Sequence, residues 1–487
     1  MIPIPKHLLV LAFLCLAGSS TLKSQQKELS TYQDLSAFYY KKQMDSLKKA
    51  WVCPSVYKER LTQKQFKEIW DGRTTFFTAA INDNNYVYDR EICAYLDEVV
   101  SQIQEANKEY LPVKPLVVLD RSSSVNAYAL GSNILAINLG LLSFAKTREE
   151  IALTIAHELS HNILQHPEHG MKERAEWLTS AEYKESMGQV LQSDYGRLTR
   201  LKKVYESYSF SRGRHQRYHE GDADSMAIVL LKNSHISFIP EFFLRMDSAD
   251  VQYLQPLRQP LNAYFAAYNI TLEDSWIKKR SRGLSTRDYD FQKNHGMADS
   301  LKTHPDCVVR YNNTVGRRSA DAASTPVPAY ISTKVNRMLI WNMYCNSDLT
   351  PCLYRILQEK DKGNTDAWYD FMFSNVMLSL YKADKDLHRS STIDIQRKEY
   401  ISKQYYELQT MLEQIPRDKL AEDCKLLQSA AFWNNVSASE KAMQRFQKAL
   451  ILSDNMEVYA NQQMAKQFME SNQTSLYCEY VHSFEKK

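Results

Sequence analysis

The clearest pattern of apolar and polar positions lies in residues 151–166, IALTIAHELSHNILQH. Its apolar side chains recur three and four residues apart, which is the spacing of one buried face of an α-helix. Thr147 and Glu150 have the spacing of a capping box at the start of this run, and Pro167 ends it. We therefore predict a helix with an apolar face formed by Ala152, Ile155, Ala156, Leu159, Ile163 and Leu164.

Shorter patterns before this helix predict a small sheet. Residues 89–110 have the spacing of an amphipathic helix, and residues 116–119 form an apolar run of strand length. Two further strand segments, 126–130 and 134–138, lie on either side of Gly131. Helices followed by a few strands and more helices predict an α+β fold that is mostly α.

The chain is long enough for several domains, and its composition changes suggest where they begin. We predict an N-terminal helical segment at 25–85, a catalytic domain at 86–318 and a C-terminal helical region at 331–487. Residues 319–330, rich in Ala, Ser and Pro, form the predicted linker. Residues 440–450, EKAMQRFQKAL, resemble the second helix of a tetratricopeptide unit. No clean 34-residue period accompanies them, so a degenerate repeat array and a plain helical bundle both remain open.

Residues 1–24 have the pattern of a signal peptide: Lys6, a short apolar run and then small residues. No later segment is apolar over the length of a membrane span, so we expect no transmembrane segment after signal removal. The formal net charge is only +4, which argues against nucleic acid as a partner. In an oxidising compartment, Cys345 and Cys352 would be the closest pair in sequence for a local disulfide.

The candidate chemistry lies on the predicted helix. His157 and His161 are four residues apart and therefore share one face of it. Two imidazoles presented in this way can bind zinc, and Glu158 between them can act on a water molecule. The alternative is that both histidines simply belong to a buried core.

A catalytic zinc ion needs a third protein ligand, and Glu220 is the candidate. We predict a second helix that begins near Tyr218 and places Glu220 and Asp224 on one face. One carboxylate could then bind zinc while the other orients a ligand histidine. The alternative is an acidic helix start without a ligand role. A purely structural zinc site does not fit, because such sites favour cysteine and none neighbours these histidines.

Five short motifs, taken together, resemble the gluzincin zinc metallopeptidases of the CaaX prenyl endopeptidase and HtpX type. HELSH is followed by an Arg-x-x-Glu-x-x-x-Asp pattern that begins at Arg217. Residues 126–129, NAYA, and 140–142, GLL, precede the helix as they do in that family. Thr303, His304 and Pro305, with Arg310 six residues after the histidine, match its late signature.

This resemblance implies a zincin-like domain with one Zn²⁺ per chain. It implies His157, His161 and Glu220 as zinc ligands, Glu158 as general base and Asp224 as a residue that orients a ligand. It also implies that His304 and Arg310 lie near the developing oxyanion. The family's embedded members carry several transmembrane helices that this chain lacks, so the chain resembles a soluble, exported branch active in periplasmic quality control.

We therefore expect a periplasmic metalloendopeptidase, associated at most peripherally with a membrane, that hydrolyses unfolded or misassembled exported proteins. The alternative is a gated or chaperone-like scaffold whose helical tail binds an envelope protein. We expect His166 and His169 to be surface residues, and the long segments 167–216 and 232–300 to cover or gate the cleft. An extended substrate would pair with an edge strand formed by Ile134, Leu135, Ala136, Ile137 and Asn138.

Overall fold

A computed structural model of the chain describes residues 37–131, 133–193, 195–247, 249, 255–277, 307–320, 322–396, 398, 401–452 and 458–484. The predicted signal peptide lies outside these residues. Within them the chain is mostly helical and contains one small mixed sheet, which confirms the predicted α+β class.

The sheet has four strands in the order β1-β2-β4-β3. Their bounds are β1 Tyr86–Val87, β2 Leu116–Asp120, β3 Ala127–Gly131 and β4 Ile134–Asn138. β2 and β4 are parallel, while β1 pairs antiparallel with β2 and β3 pairs antiparallel with β4. The three strands predicted from the sequence are all present. The short β1 was not predicted, because two residues are too few to show a period.

Helices cover both faces of the sheet. The side chains of β4 point alternately to one face and to the other, and each set packs into a different apolar cluster. Leu135 and Ile137 point into the large core shared with the helix of residues 90–106, whereas Ile134 and Ala136 point into a second cluster. That second cluster contains Trp51, Phe77 and Ile81 from the N-terminal helical segment. Because both faces are covered, β4 is buried along its whole length.

Twelve α-helices carry the chain from the N-terminal segment to the end of the predicted catalytic domain in the part that the structure describes. They are α1 Ala37–Ala50, α2 Arg60–Asn82, α3 Arg90–Ala106, α4 Leu139–Phe144, α5 Arg148–Ile163, α6 His166–Thr179, α7 Ala181–Gln192, α8 Arg197–Asn233, α9 Glu241–Met246, α10 Leu261–Ala266, α11 Asp274–Ile277 and α12 Cys307–Thr314.

The predicted metal helix is α5, and its start is fixed by the predicted capping box. The Thr147 side chain accepts a hydrogen bond from the Glu150 N–H, and the Glu150 carboxylate accepts one from the Thr147 N–H. α5 packs most extensively against α8. α8 is one continuous helix from Arg197, so the predicted helix start near Tyr218 is wrong.

The region after residue 328 is helical in all the elements described there. Its α-helices are α13 Ala329–Cys345, α14 Leu349–Asp361, α15 Ala367–Lys385, α16 Lys403–Gln414, α17 Arg417–Gln428, α18 Ala438–Leu452, α19 Val458–Ser471 and α20 Cys478–His482. α15 is buried along most of its length and packs against α14, α17 and α18. Units of a repeat array contact only their neighbours, so this central helix favours the bundle.

The segment predicted as a linker packs against the start of α5. The Arg148 N–H donates to the Thr325 carbonyl at 2.8 Å, and the Val327 N–H donates to the Lys146 carbonyl at 3.0 Å. The Thr325 N–H donates to the Glu149 carboxylate at 2.7 Å. Consequently the described part of this segment lies against the metal helix.

Cys345 and Cys352 are both free thiols, so the local disulfide is not formed. Cys352 lies buried within α14, and its thiol faces the Ile340 carbonyl at 3.4 Å. No helix among the described residues combines the length and the apolar character that a membrane span requires.

Candidate metal centre

Two histidines from α5 present the same ring nitrogen to one point. His157 and His161 stand one turn apart, and their Nε2 atoms are 3.1 Å from each other. Their ring planes are nearly perpendicular, at 81°. The His157 side chain is only 6% exposed and that of His161 14%. The helical spacing that predicted this pair has therefore placed both nitrogens at one buried site.

Glu220 from α8 completes the group. Its carboxylate oxygens lie 3.3 Å from His157 Nε2 and 3.4 Å from His161 Nε2. Each of the three side chains offers one ligand atom, and these three atoms lie within 4.8 Å of one another. Ligand bonds of about 2.0–2.1 Å at tetrahedral angles separate neighbouring donor atoms by about 3.3 Å. The observed separations thus suit a tetrahedral zinc ion, and the His₂Glu set is one that catalytic zinc sites use.

Asp224 and Arg310 lie behind His157. His157 Nδ1 is 2.9 Å from Asp224 Oδ1, so Asp224 accepts the Nδ1–H and leaves Nε2 directed at the site. Arg310 donates to both Asp224 oxygens, from Nε at 2.9 Å and from Nη2 at 2.5 Å. Asp224 follows Glu220 by one turn of α8, as the sequence predicted.

The charges around His157 shift its pKa. Burial and the charge of Arg310 disfavour its protonation, but hydrogen bonds to Asp224 and Glu220 outweigh them and raise the pKa to about 9. Burial raises the pKa of Asp224, but the hydrogen bond from His157 and the charge of Arg310 outweigh it, so that pKa is lowered. Without a metal ion, this raised pKa favours the protonated form of His157, paired with the two carboxylates.

Arg310 contacts the groups that lie behind His157. Its guanidinium lies over the Phe243 ring at 4.3 Å and is 3.2 Å from His157 Nδ1, on the side of the ring opposite Nε2. Its Nε and Nη2 both donate to Asp224. Arg310 thus orients the Asp224–His157 pair, and its place near the developing oxyanion stays a prediction. His304, predicted beside it, lies outside the described residues.

His166 also departs from the expectation. Predicted to be a surface residue, it is partly buried, and its Nδ1 lies 2.8 Å from Nδ1 of His161. Its ring stacks on that of His219 with centroids 4.2 Å apart and an interplanar angle of 10°. Burial and the neighbouring histidines lower the pKa of His166 to about 3. His169, for which the same prediction was made, is exposed as expected.

A backbone feature explains why the sequence did not reveal His166. Gln165 adopts a left-handed conformation, with φ of 56°, between α5 and α6. This residue changes the chain direction and turns His166 back toward the site. Glutamine is not a residue type that typically adopts this conformation. The one feature of the sequence that could have indicated the position of His166 is that it directly precedes Pro167, at the start of α6.

Glu158, the predicted general base, lies in α5 directly after His157 and is 5% exposed. A general base must be held within reach of the water from which it takes a proton. Its buried position beside a ligand residue is compatible with that requirement, and its catalytic role stays a prediction.

The predicted substrate strand is not at the sheet edge. β4, residues 134–138, lies between β2 and β3 and pairs with both. The edge beside the metal helix is β3, Ala127–Gly131. Asn162 ties this edge to α5, since its Oδ1 accepts from the Gly131 N–H at 3.1 Å and its Nδ2 donates to the Ile134 carbonyl at 3.2 Å.

Residues 91–317 match the sequence model of peptidase family M48. This span contains every described residue of the metal centre as well as the strands β2, β3 and β4. No curated protein matches the chain. The family match agrees with the resemblance drawn from the motifs and supports a metallopeptidase of this zinc-dependent family.

Proposed function

We propose that the chain is a zinc-dependent endopeptidase that hydrolyses unfolded or misassembled exported polypeptides. The observation that carries this proposal is the convergence of His157, His161 and Glu220 at distances that suit a tetrahedral ion. A zinc ion held by these three side chains would supply a Lewis acid that activates water and polarises the scissile carbonyl.

The chain's own residues supply the proton transfers and the orientation. Glu158 accepts a proton from the attacking water and passes it to the amine nitrogen that leaves, so that water and one peptide bond become a carboxylate and an amine. Asp224, held by Arg310, keeps the His157 ring in the tautomer that directs Nε2 inward. His304 is proposed to donate to the developing oxyanion.

The edge strand β3 supports the proposed substrate class. An extended polypeptide can add to such an edge through backbone hydrogen bonds, which depend little on its side chains. Recognition of this kind favours unfolded chains, because folded proteins already pair their strands. Export to the periplasm rests on the sequence pattern of residues 1–24, and partner binding by the C-terminal helices is proposed from the sequence alone.

Cleavage of matched folded and unfolded substrates tests the substrate class. A disulfide-bonded secreted protein would be offered to the purified enzyme both intact and after reduction and alkylation. We expect internal cleavage of the unfolded form only, lost after chelation and restored by zinc. Equal cleavage of both forms, or removal of single terminal residues, would contradict the proposal.

The substitution Ala129→Pro places a proline in the edge strand β3 and tests substrate pairing there. Loss of cleavage in this variant would support pairing at this edge.

A further inference from the structure

The two ligand histidines of the proposed zinc site have different outer partners. His157 faces a carboxylate, Asp224, while His161 faces another imidazole, His166. Ligand histidines usually pass their second ring N–H to an acceptor that fixes the tautomer and the ring orientation. The sequence predicted this role for Asp224, but it did not predict it for His166.

The proton positions follow from the geometry. His161 Nε2 faces His157 Nε2 at 3.1 Å and Glu220 Oε1 at 3.4 Å, so Nε2 is the nitrogen that would bind a metal ion and must be free of hydrogen. A neutral imidazole then carries its proton on Nδ1. His161 Nδ1 therefore donates across the 2.8 Å to His166 Nδ1, which accepts.

The ring of His166 is itself held in place. It stacks face to face on His219, whose ring centroid is 4.2 Å away. His219 directly precedes the ligand Glu220 on α8, and His166 begins α6. The stack thus ties the acceptor for one ligand to the helix that provides another.

We propose that His166 is a positioning residue that accepts the Nδ1–H of His161 and thereby holds His161 Nε2 toward the zinc ion, with His219 fixing the plane of its ring. This inference rests on the proposed function of the same site. It also makes the site asymmetric, because a neutral acceptor strengthens His161 as a ligand less than a carboxylate strengthens His157.

Three substitutions separate hydrogen bonding from packing. His166→Asn places an amide oxygen close to where Nδ1 lies and keeps the acceptor, whereas His166→Phe keeps an aromatic ring and loses it. His166→Ala removes both. The matched control is His169→Ala, which removes an exposed histidine from the same helix.

Zinc dissociation constants would be measured by competition with a chromophoric chelator, with thermal unfolding of the metal-free proteins as a check on folding. Loss of an outer partner typically weakens metal binding by about 10–100-fold. We expect this loss for His166→Phe and His166→Ala, while His166→Asn and His169→Ala stay within about 3-fold of the wild type on the same scale.

Wild-type affinity in His166→Phe, or equal losses in the Asn and Phe variants, would overturn the positioning role. Failure of the proposed function is separable from that result. It would be seen in the wild type as absent zinc binding or absent cleavage, whatever the variants do. A wild type that binds zinc and cleaves, beside an unaffected His166→Phe variant, would refute this inference alone.

Discussion

At the residue scale, the site is a series of paired charges that links α12, α8 and α5. Arg310 pairs with Asp224, Asp224 with His157, and His157 with Glu220. Each of these side chains is almost completely buried, so removing one would leave a buried charge on its neighbour without an opposite charge beside it. A divalent cation at the ligand atoms would replace the proton of His157 in this arrangement.

The raised pKa of His157 predicts how the stability of the metal-free protein depends on pH. The pKa of His157 is about 9 in the folded state and 6.5 in its reference state. The stability that protonated His157 gives to the fold is therefore complete below pH 6.5 and is lost as the pH rises through 9. The loss should be on the order of 3 kcal/mol, at about 1.4 kcal/mol per pKa unit.

Urea unfolding of chelator-treated protein between about pH 6 and pH 9.5, the window that linkage sets, measures this effect. Other groups titrate in the same range, so the His157→Gln variant serves as the reference. We expect the stability of the wild type to fall more steeply than that of the variant. Parallel pH profiles for the two proteins would show that His157 is not protonated in the metal-free fold.

At the element scale, the close approach of a loop to the start of α4 depends on a missing side chain. A Cβ on Gly140 would lie 2.1 Å from the Ser123 carbonyl oxygen and 2.4 Å from that of Ser124. Both contacts are with backbone, so the loop between β2 and β3 would have to move. This loop leads directly into the edge strand.

Gly140→Ala should therefore destabilise the protein, by about 1–3 kcal/mol as overpacking typically does. It should also lower cleavage by displacing β3. Gly188→Ala is the matched control, because a Cβ on that helical glycine would meet nothing within 4 Å and alanine is the better helix former. Denaturant unfolding of both variants is the measurement. A neutral Gly140→Ala would contradict the account of this loop.

The sequence predicted an element correctly where the pattern that defines the element lies among residues close together in the chain. The capping box and apolar face of α5 are local, and they predicted its start and its two histidines correctly. Strand order is not local: residues 134–138 are apolar for most of their length, and only pairing shows that they lie between two neighbours. His166 was missed for the related reason that one residue, Gln165, redirects the chain.

At the scale of the whole molecule, the C-terminal helices pack into the catalytic part. Arg121, which follows β2, forms a two-pronged ion pair with Glu479 near the C-terminus. Trp341 Nε1 also donates to Glu479 at 2.9 Å, and Asn342 donates to the Arg121 carbonyl at 2.8 Å. One continuous apolar core runs from α3 through α5 to α20.

Because the core is shared, we predict that residues 25–328 do not form a stable protein alone. Truncation would expose apolar surface on α4, which packs against α13, and would leave Arg121 without its partner. Circular dichroism melting and zinc content of the fragment are the measurements. A fragment that unfolds cooperatively and binds one zinc ion would show that the C-terminal region is a separate domain.

The central claim is that this buried cluster binds zinc and hydrolyses peptide bonds with Glu158 as the base. The most direct measurement compares the wild type with Glu158→Gln for zinc content and for cleavage of a reduced, alkylated protein. We predict about one zinc ion per chain in both proteins, as the three-ligand site implies, and cleavage by the wild type alone. The claim would be contradicted if both proteins contained zinc and neither cleaved the substrate, or if both cleaved it equally.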